Sequence, residues 1–226
     1  MSTSEPPGQP STPRRTTPRY GGYVGLLALV ILALITINTI VTKPNGVKGL
    51  APGEAVPPFA VPLAQGNLNG DADTATHAND GGAGRVPACQ ERGSQILNIC
   101  ELYEHAPVVL ALFVDGGSCP DVLDDMQALA PSFPAVRFAG VAIKGSRGKL
   151  RKLIRTRHLS LPLGIDSDGA LAALYKVGTC PQLTFILPGG QAQGNALINR
   201  PSRALLRKRL GRLLSDARAR GWRGGA

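Results

Sequence analysis

The apolar positions along this chain fall into two regimes. Residues 23–41 (YVGLLALVILALITINTIV) form one unbroken apolar run, and charge is absent from residue 21 to residue 42. At about 1.5 Å per residue, a helix over this run just spans a hydrocarbon core of roughly 30 Å. From residue 96 onward the runs are shorter and alternate in kind. Residues 108–114 (VVLALFV), bounded by Pro107 and Gly116, have the pattern of a strand buried on both faces, and residues 136–143 share it. Residues 120–132, 148–157 and 202–218 instead carry apolar side chains at helical spacing. These are Val122, Leu123, Met126 and Leu129 in the first, Leu150, Leu153 and Ile154 in the second, and Leu206, Leu210, Leu213 and Leu214 in the third. The Lys/Arg run of the second helix reads as a solvated face, and Arg203, Arg207, Arg209 and Arg212 of the third are expected in solvent.

Shorter elements fill the intervals. Residues 59–63 predict a short edge strand broken by Pro62, residues 96–99 a strand, 101–106 a turn, and 170–175 a short helix. Residues 183–187 predict a strand, Pro188-Gly189-Gly190 a hairpin turn, and 191–198 the partner strand. Strand, helix, strand, helix, then hairpin and helix is an α/β order with a central mixed sheet flanked by helices. Its first crossover should be parallel.

Pro and Gly make up 47 of the 226 residues, which sets long loops and tails around this core. The expected organisation is a disordered tail over residues 1–22, a transmembrane helix over 23–41, and a linker over 42–52. A folded domain over 53–218 and a disordered tail over 219–226 complete it. Within the domain, residues 65–85 read as an exposed loop. Asp71 and Asp73 there resemble the opening of a calcium loop, but Ala75 and Thr76 occupy places that need a ligand and a glycine. A cleaved signal peptide competes with the anchor reading; its apolar region would be shorter, and no A-x-A site follows Val41.

The net charge of +10 changes the picture only once it is located. Residues 1–22 carry +2, residues 200–226 carry +8, and the interval between them is neutral. The excess therefore lies in the two ends, where anionic lipid is as good a partner as nucleic acid. With 4% aromatic residues and one Trp, an aromatic-lined sugar or single-strand groove is disfavoured, and no nucleic-acid partner is expected. Arg14, Arg15 and Arg19 precede the apolar run, whereas Lys43 and Lys48 follow it. The positive-inside rule then sets the amino end in the cytoplasm and the carboxyl domain outside, as a single-pass protein of the cell membrane. An even count of four cysteines suits an oxidising compartment.

Two segments carry a family resemblance. VVLALFVDGGSCPDVLDDMQAL at 108–129 resembles the strand, active-site loop and helix of the thioredoxin-like redoxins, meaning the TlpA-like disulfide reductases and the alkyl hydroperoxide reductase/thiol-specific antioxidant proteins. LYKVGTCPQLTFILPGGQ at 174–191 resembles the segment around that group's cis-proline, with Pro181 in the proline position. APGEAVPPFAVPLAQG at 51–66 is similar to the approach to the domain, so the resemblance covers roughly residues 51–215. It implies a thioredoxin-like fold and thiol–disulfide exchange with protein thiols or disulfides as substrate. The activity motif departs from the group. Helical spacing places Cys119 at the second cysteine of W-C-x-x-C, so Gly116 stands at the first and the Trp is missing. The peroxidase motif would need a Pro and a Thr or Ser where Leu112 and Gly116 stand.

The resemblance also implies that Cys180, preceding Pro181, faces Cys119, so that the two form a redox or disulfide pair in place of the lost motif. Cys119 is then the attacking or resolving thiol and Cys180 its partner, with Thr179 and Pro181 shaping the substrate groove. A helix start favours a thiolate at Cys119, and Asp115, Asp121, Asp124 and Asp125 oppose it. An inert buried Cys119 in a redoxin-fold binding module is the competing reading. Cys89 and Cys100 suit a local structural disulfide, although four cysteines permit three connectivities. No metal site is expected, because the cysteines include no close ligand pair, and no cofactor motif is present. His77, His105 and His158 read as surface residues, and oligomeric state is not legible.

Overall fold

The computed structural model describes residues 20–41 and 49–224, which belong to two compact units. The tail expected over 1–22 lies outside the described residues up to residue 19, as do residues 42–48 of the linker and the last two residues of the chain.

The first unit is helix α1, Tyr20–Val41, which begins three residues earlier than expected. Tyr23, Leu26, Leu27, Leu29 and Leu34 stand exposed on it, and the Thr36 hydroxyl donates to the Leu32 carbonyl at 2.7 Å. Among the described residues no helix is long and apolar enough to cross a membrane. The continuous run of described side chains in α1 is 22–34, which rises about 20 Å and falls short of a hydrocarbon core of roughly 30 Å. The span expected at residues 23–41 thus lies partly outside the described side chains.

The second unit is built on one mixed sheet. Its strands are β3 (Val108–Phe113), β4 (Arg137–Ile143), β5 (Leu163–Asp166), β6 (Gln182–Leu187), β7 (Gln191–Ala192) and β8 (Leu197–Ile198). They run in the order β5-β4-β3-β6-β7, with β8 also paired to β6. β3 is parallel to β4 and antiparallel to β6, with Leu110 opposite Ala139 on one side and Thr184 on the other. A separate antiparallel pair, β1 (Ala60–Pro62) and β2 (Ile96–Asn98), precedes it.

The unbroken apolar run in β3 has a direct cause. Val109, Ala111 and Phe113 enter one core cluster, while Val108, Leu110 and Leu112 enter another, so the strand is covered on both faces. The first cluster is closed by α3 (Asp121–Leu129), by Leu150 of α4 (Arg147–Arg157), and by Leu206, Leu210, Leu213 and Ala217 of α6 (Arg203–Ala219). The second is closed by Leu50, Val56 and Phe59, by Ile99 and Cys100 of α2 (Ile99–His105), and by Leu171 of α5 (Ala170–Leu174) together with Tyr175. Each fully buried Leu or Phe contributes roughly 1.5–3 kcal/mol relative to exposure, so the two layers fix the sheet from both sides.

Several local expectations are corrected. Residues 101–106 are not a turn: the Asn98 side chain accepts from the amides of Cys100 and Glu101 and starts helix α2 there. Strand β5 was not expected; it is four residues long, follows Pro162 and contains Gly164, so it carries little apolar signal. The partner strand expected over 191–198 divides into β7 and β8 around Gly194, whose φ is +65°. The turn before it depends on Gly190, because the Cβ of any other residue there would stand 2.8 Å from the Tyr103 ring. The carboxyl tail also departs from a disordered segment: the Trp222 indole donates to the His105 carbonyl at 3.1 Å and packs on the first cluster. Arg209 is half-buried rather than free in solvent, with its guanidinium 4.9 Å from the centre of the Phe185 ring. It donates to the Gln193 and Asn195 carbonyls, and burial holds its pKa below the usual arginine range.

Candidate active site

Strand β3 delivers the chain to the loop 114–120, and Gly117 (φ +60°) turns it toward α3. Pro120 caps α3 from outside, so Cys119 lies one residue before the cap, in the turn. The Asp121 amide donates to the Ser118 carbonyl and the Leu123 amide to the Pro120 carbonyl. On the facing loop the Cys180–Pro181 peptide bond is cis, and Gln182 opens β6 directly after it. The Gln182 side chain is buried and donates to the Tyr175 carbonyl at 2.9 Å, which anchors the loop from below.

The two loops meet at sulfur. Cys119 and Cys180 are joined, with S–S 2.11 Å and Cα atoms 5.5 Å apart, inside the range that bridging requires. Both residues are half-buried at the margin of the first core cluster. The Val114 amide donates to Cys180 Sγ at 3.3 Å. Beside this sulfur lies a cleft of about 260 Å³, walled by Leu112, Phe113, Val114, Ile143, Ala172, Val177, Gly178, Thr179 and Cys180. Its lining is mostly apolar. The Thr179 hydroxyl is buried without a hydrogen-bond partner.

The acids around Cys119 are each paired with a basic side chain. Asp115 accepts from the Ser146 amide at 2.9 Å and lies 3.5 Å from Lys149 Nζ. Asp121 pairs with Arg157 at 2.8 Å and Arg200 at 3.0 Å, and Asp124 pairs with Arg157 at 2.8 Å. Asp125, whose side chain is 9% exposed, pairs with Arg200 at 3.2 Å and Arg203 at 2.9 Å. The hydrogen bond to Asp121, opposed by burial and reinforced by both carboxylates, raises the Arg157 pKa above the usual arginine range. The sequence reading missed these three arginines. The available signal was charge complementarity between the DVLDD stretch at 121–125 and the basic residues at 157, 200 and 203.

Cys89 and Cys100 are also joined, with Cα atoms 5.3 Å apart, and belong to the second core cluster. The Tyr103 hydroxyl lies 3.9 Å from Cys89 Sγ, and burial, followed by the nearby Glu104 carboxylate, raises its pKa. His77 bonds to Thr76, His105 stands beside Glu104, and His158 ends α4 in a left-handed conformation. Asp73 accepts from the Ala75 amide at 2.9 Å. Among the described residues, no group of three or more His, Cys, Asp or Glu side chains could hold a metal ion.

No family model matches the chain, and no curated protein matches it. Solved structures do. A protein from Bacteroides thetaiotaomicron assigned as a protein disulfide isomerase is similar at TM-score 0.55 and 14% identity, over 76% of this chain and 97% of the other. One from Chlorobium tepidum assigned as the thiol:disulfide interchange protein DsbE is similar at TM-score 0.53 and 15% identity, over 73% and 99%. The peroxidoxin BcpB of Mycobacterium tuberculosis is similar at TM-score 0.53 and 17% identity, over 74% and 97%. With β3, β4 and β6 at the centre of the sheet and a cis-proline just before β6, the second unit has the thioredoxin-like fold.

Proposed function

We propose that this protein carries out thiol–disulfide exchange with protein thiols or disulfides, using the Cys119–Cys180 pair. The observation that carries the reading is the half-buried Cys119–Cys180 bond beside cis-Pro181, at the edge of an apolar cleft. A bond in that place is open to in-line attack by an incoming thiolate, as exchange through a mixed disulfide requires. The similarity to proteins assigned to thiol:disulfide interchange supports it. The missing first cysteine of the usual motif, Gly116, is what makes the long-range pair necessary.

The oxidised full chain, mixed with a reduced dithiol peptide, should take two electrons and two protons from it. Peptide disulfide then appears as Cys119–Cys180 opens, and Cys119→Ser abolishes the transfer. Exchange no faster than the uncatalysed reaction would leave a redoxin-fold binding module in its place.

The anchor belongs to the same proposal. Residues 21–42 carry no charge, and α1 presents apolar side chains on all sides. Such a helix is favoured in lipid. Three arginines before it favour a cytoplasmic amino end and an extracytoplasmic domain. Protease added to intact spheroplasts should digest the domain; protection until lysis would reverse the orientation.

A further inference from the structure

We propose that Cys180 is the residue that becomes covalently joined to substrate, and that Cys119 resolves the mixed disulfide. The assignment rests on the exchange reading above and reverses the roles that a helix-start cysteine would suggest.

Three observations carry it. First, Cys180 forms part of the cleft wall, and Cys119 does not. A substrate chain lying in the cleft meets the Cys180 sulfur. Second, the Val114 amide donates to Cys180 Sγ at 3.3 Å, whereas among the described residues no donor reaches Cys119 Sγ. An N–H aimed at sulfur favours the thiolate, which is the attacking species. Third, the amides that a helix start would offer to Cys119 are depleted. Pro120 has none, and those of Asp121 and Leu123 are engaged by the Ser118 and Pro120 carbonyls, which leaves that of Val122.

In the reducing direction the Cys180 thiolate attacks one sulfur of the substrate disulfide. The Cys180–substrate bond forms, the substrate S–S bond breaks, and the departing substrate thiolate takes a proton from water. Cys119 then loses its proton to solvent and attacks Cys180 Sγ. The Cys119–Cys180 bond forms, and the second substrate sulfur leaves as a thiolate that is protonated in turn. Two electrons pass from the protein dithiol to the substrate. The oxidising direction retraces the same bonds, with substrate thiolate attacking Cys180 and Cys119 leaving.

The test uses the reduced full chain and a neutral dithiodipyridine, whose aromatic ring suits the apolar cleft. A tenfold gain in thiolate population loses about threefold in intrinsic nucleophilicity, so ionisation alone gives a net rate advantage of about threefold. Cys119→Ser, which retains Cys180, should therefore react at least about threefold faster than Cys180→Ser below neutral pH, where thiolate is scarce. In the reduced wild-type chain, a substoichiometric irreversible alkylating reagent (iodoacetamide) should be found by mass spectrometry first on the peptide carrying Cys180, since a thioether cannot be displaced by the second thiol. This second measurement decides the matter if either variant fails to fold. A first adduct on Cys119, in a wild-type protein that exchanges, overturns the assignment and leaves the exchange reading standing. A wild-type protein that does not exchange overturns both.

Discussion

The two disulfides of this chain join the same atoms in different surroundings. Cys89–Cys100 closes a separation of 11 residues, with Cys89 half-buried and Cys100 1% exposed at the start of α2. Cys119–Cys180 closes a separation of 61 residues, and both of its cysteines are half-buried, Cys180 in the wall of a cleft. They belong to different core clusters. Loop length separates them little, because loop entropy grows only as a logarithm: about 3 kcal/mol for the short closure and about 4 kcal/mol for the long one in the chain-entropy model. Access separates them far more, since exchange needs a thiolate to approach along the S–S axis. Under the proposed exchange, it is a place in a cleft wall, more than chain separation, that distinguishes the reactive bond from the fastening.

The largest expected effect on this contrast is in activity. Cys119→Ser or Cys180→Ser should reduce exchange to the uncatalysed rate, whereas the double change Cys89→Ser/Cys100→Ser should leave the rate of the folded protein unchanged. Comparable losses from both pairs would erase the distinction. In stability the contrast should nearly vanish. Urea titration should show a loss of about 4 kcal/mol without the long-range bond and about 3 kcal/mol without the local one. A third test concerns the acids of α3. Removing Arg200 and Arg203 together leaves Asp125 buried and uncompensated, for a loss of about 3 kcal/mol. Either single change should cost about 1 kcal/mol or less, because the other half-exposed arginine remains.

The smallest expected effect is a pH dependence beside the cleft. Asp166 accepts from the Gly169 and Leu171 amides at the start of α5, and Ala172 of that helix walls the cleft. Burial, and then the Asp168 carboxyl, raise the Asp166 pKa from 3.8 to about 7, against the pull of the two amides. Between these values the folded protein holds a proton that the unfolded chain has lost. The Asp166 contribution to stability is therefore greatest below about pH 4 and declines as pH rises to about 7. Thermal melts of Asp166→Asn across that window should show a flatter decline than the parent. An unchanged profile would remove Asp166 as the cause.

What was legible in the sequence follows from where periodicity is strong. β3, β4, α3 and α6 were readable because each carries four or more apolar side chains with a single spacing into the two clusters. β5 was invisible because Gly164 interrupts a four-residue strand, and α2 because its cap, Asn98, lies within what looked like a strand ending. At the site, the cysteines and Pro181 were singled out through a family resemblance. The cleft and the ion pairs were not. The cleft is assembled from residues 112–114, 143, 172 and 177–180, and Arg200 and Arg203 lie more than 70 positions from the acids they meet. Charge pairing at such distances leaves no periodic trace.

The arginine pairs on α3 have a kinetic consequence. Arg157 at the end of α4, Arg200 in the loop before α6, and Arg203 at its start hold the helix that follows Cys119 from two sides. Its apolar face stays seated on the sheet through Val122, Leu123, Met126 and Leu129. When the bond to Cys180 opens, a helix held in this way keeps the adjoining Cys119 turn near its former partner, at a high effective molarity. Under the proposed exchange, a substrate joined to one sulfur is then displaced by the other within the lifetime of the encounter. The linked species should be short-lived in the wild-type chain and accumulate only when one of the two thiols has been removed.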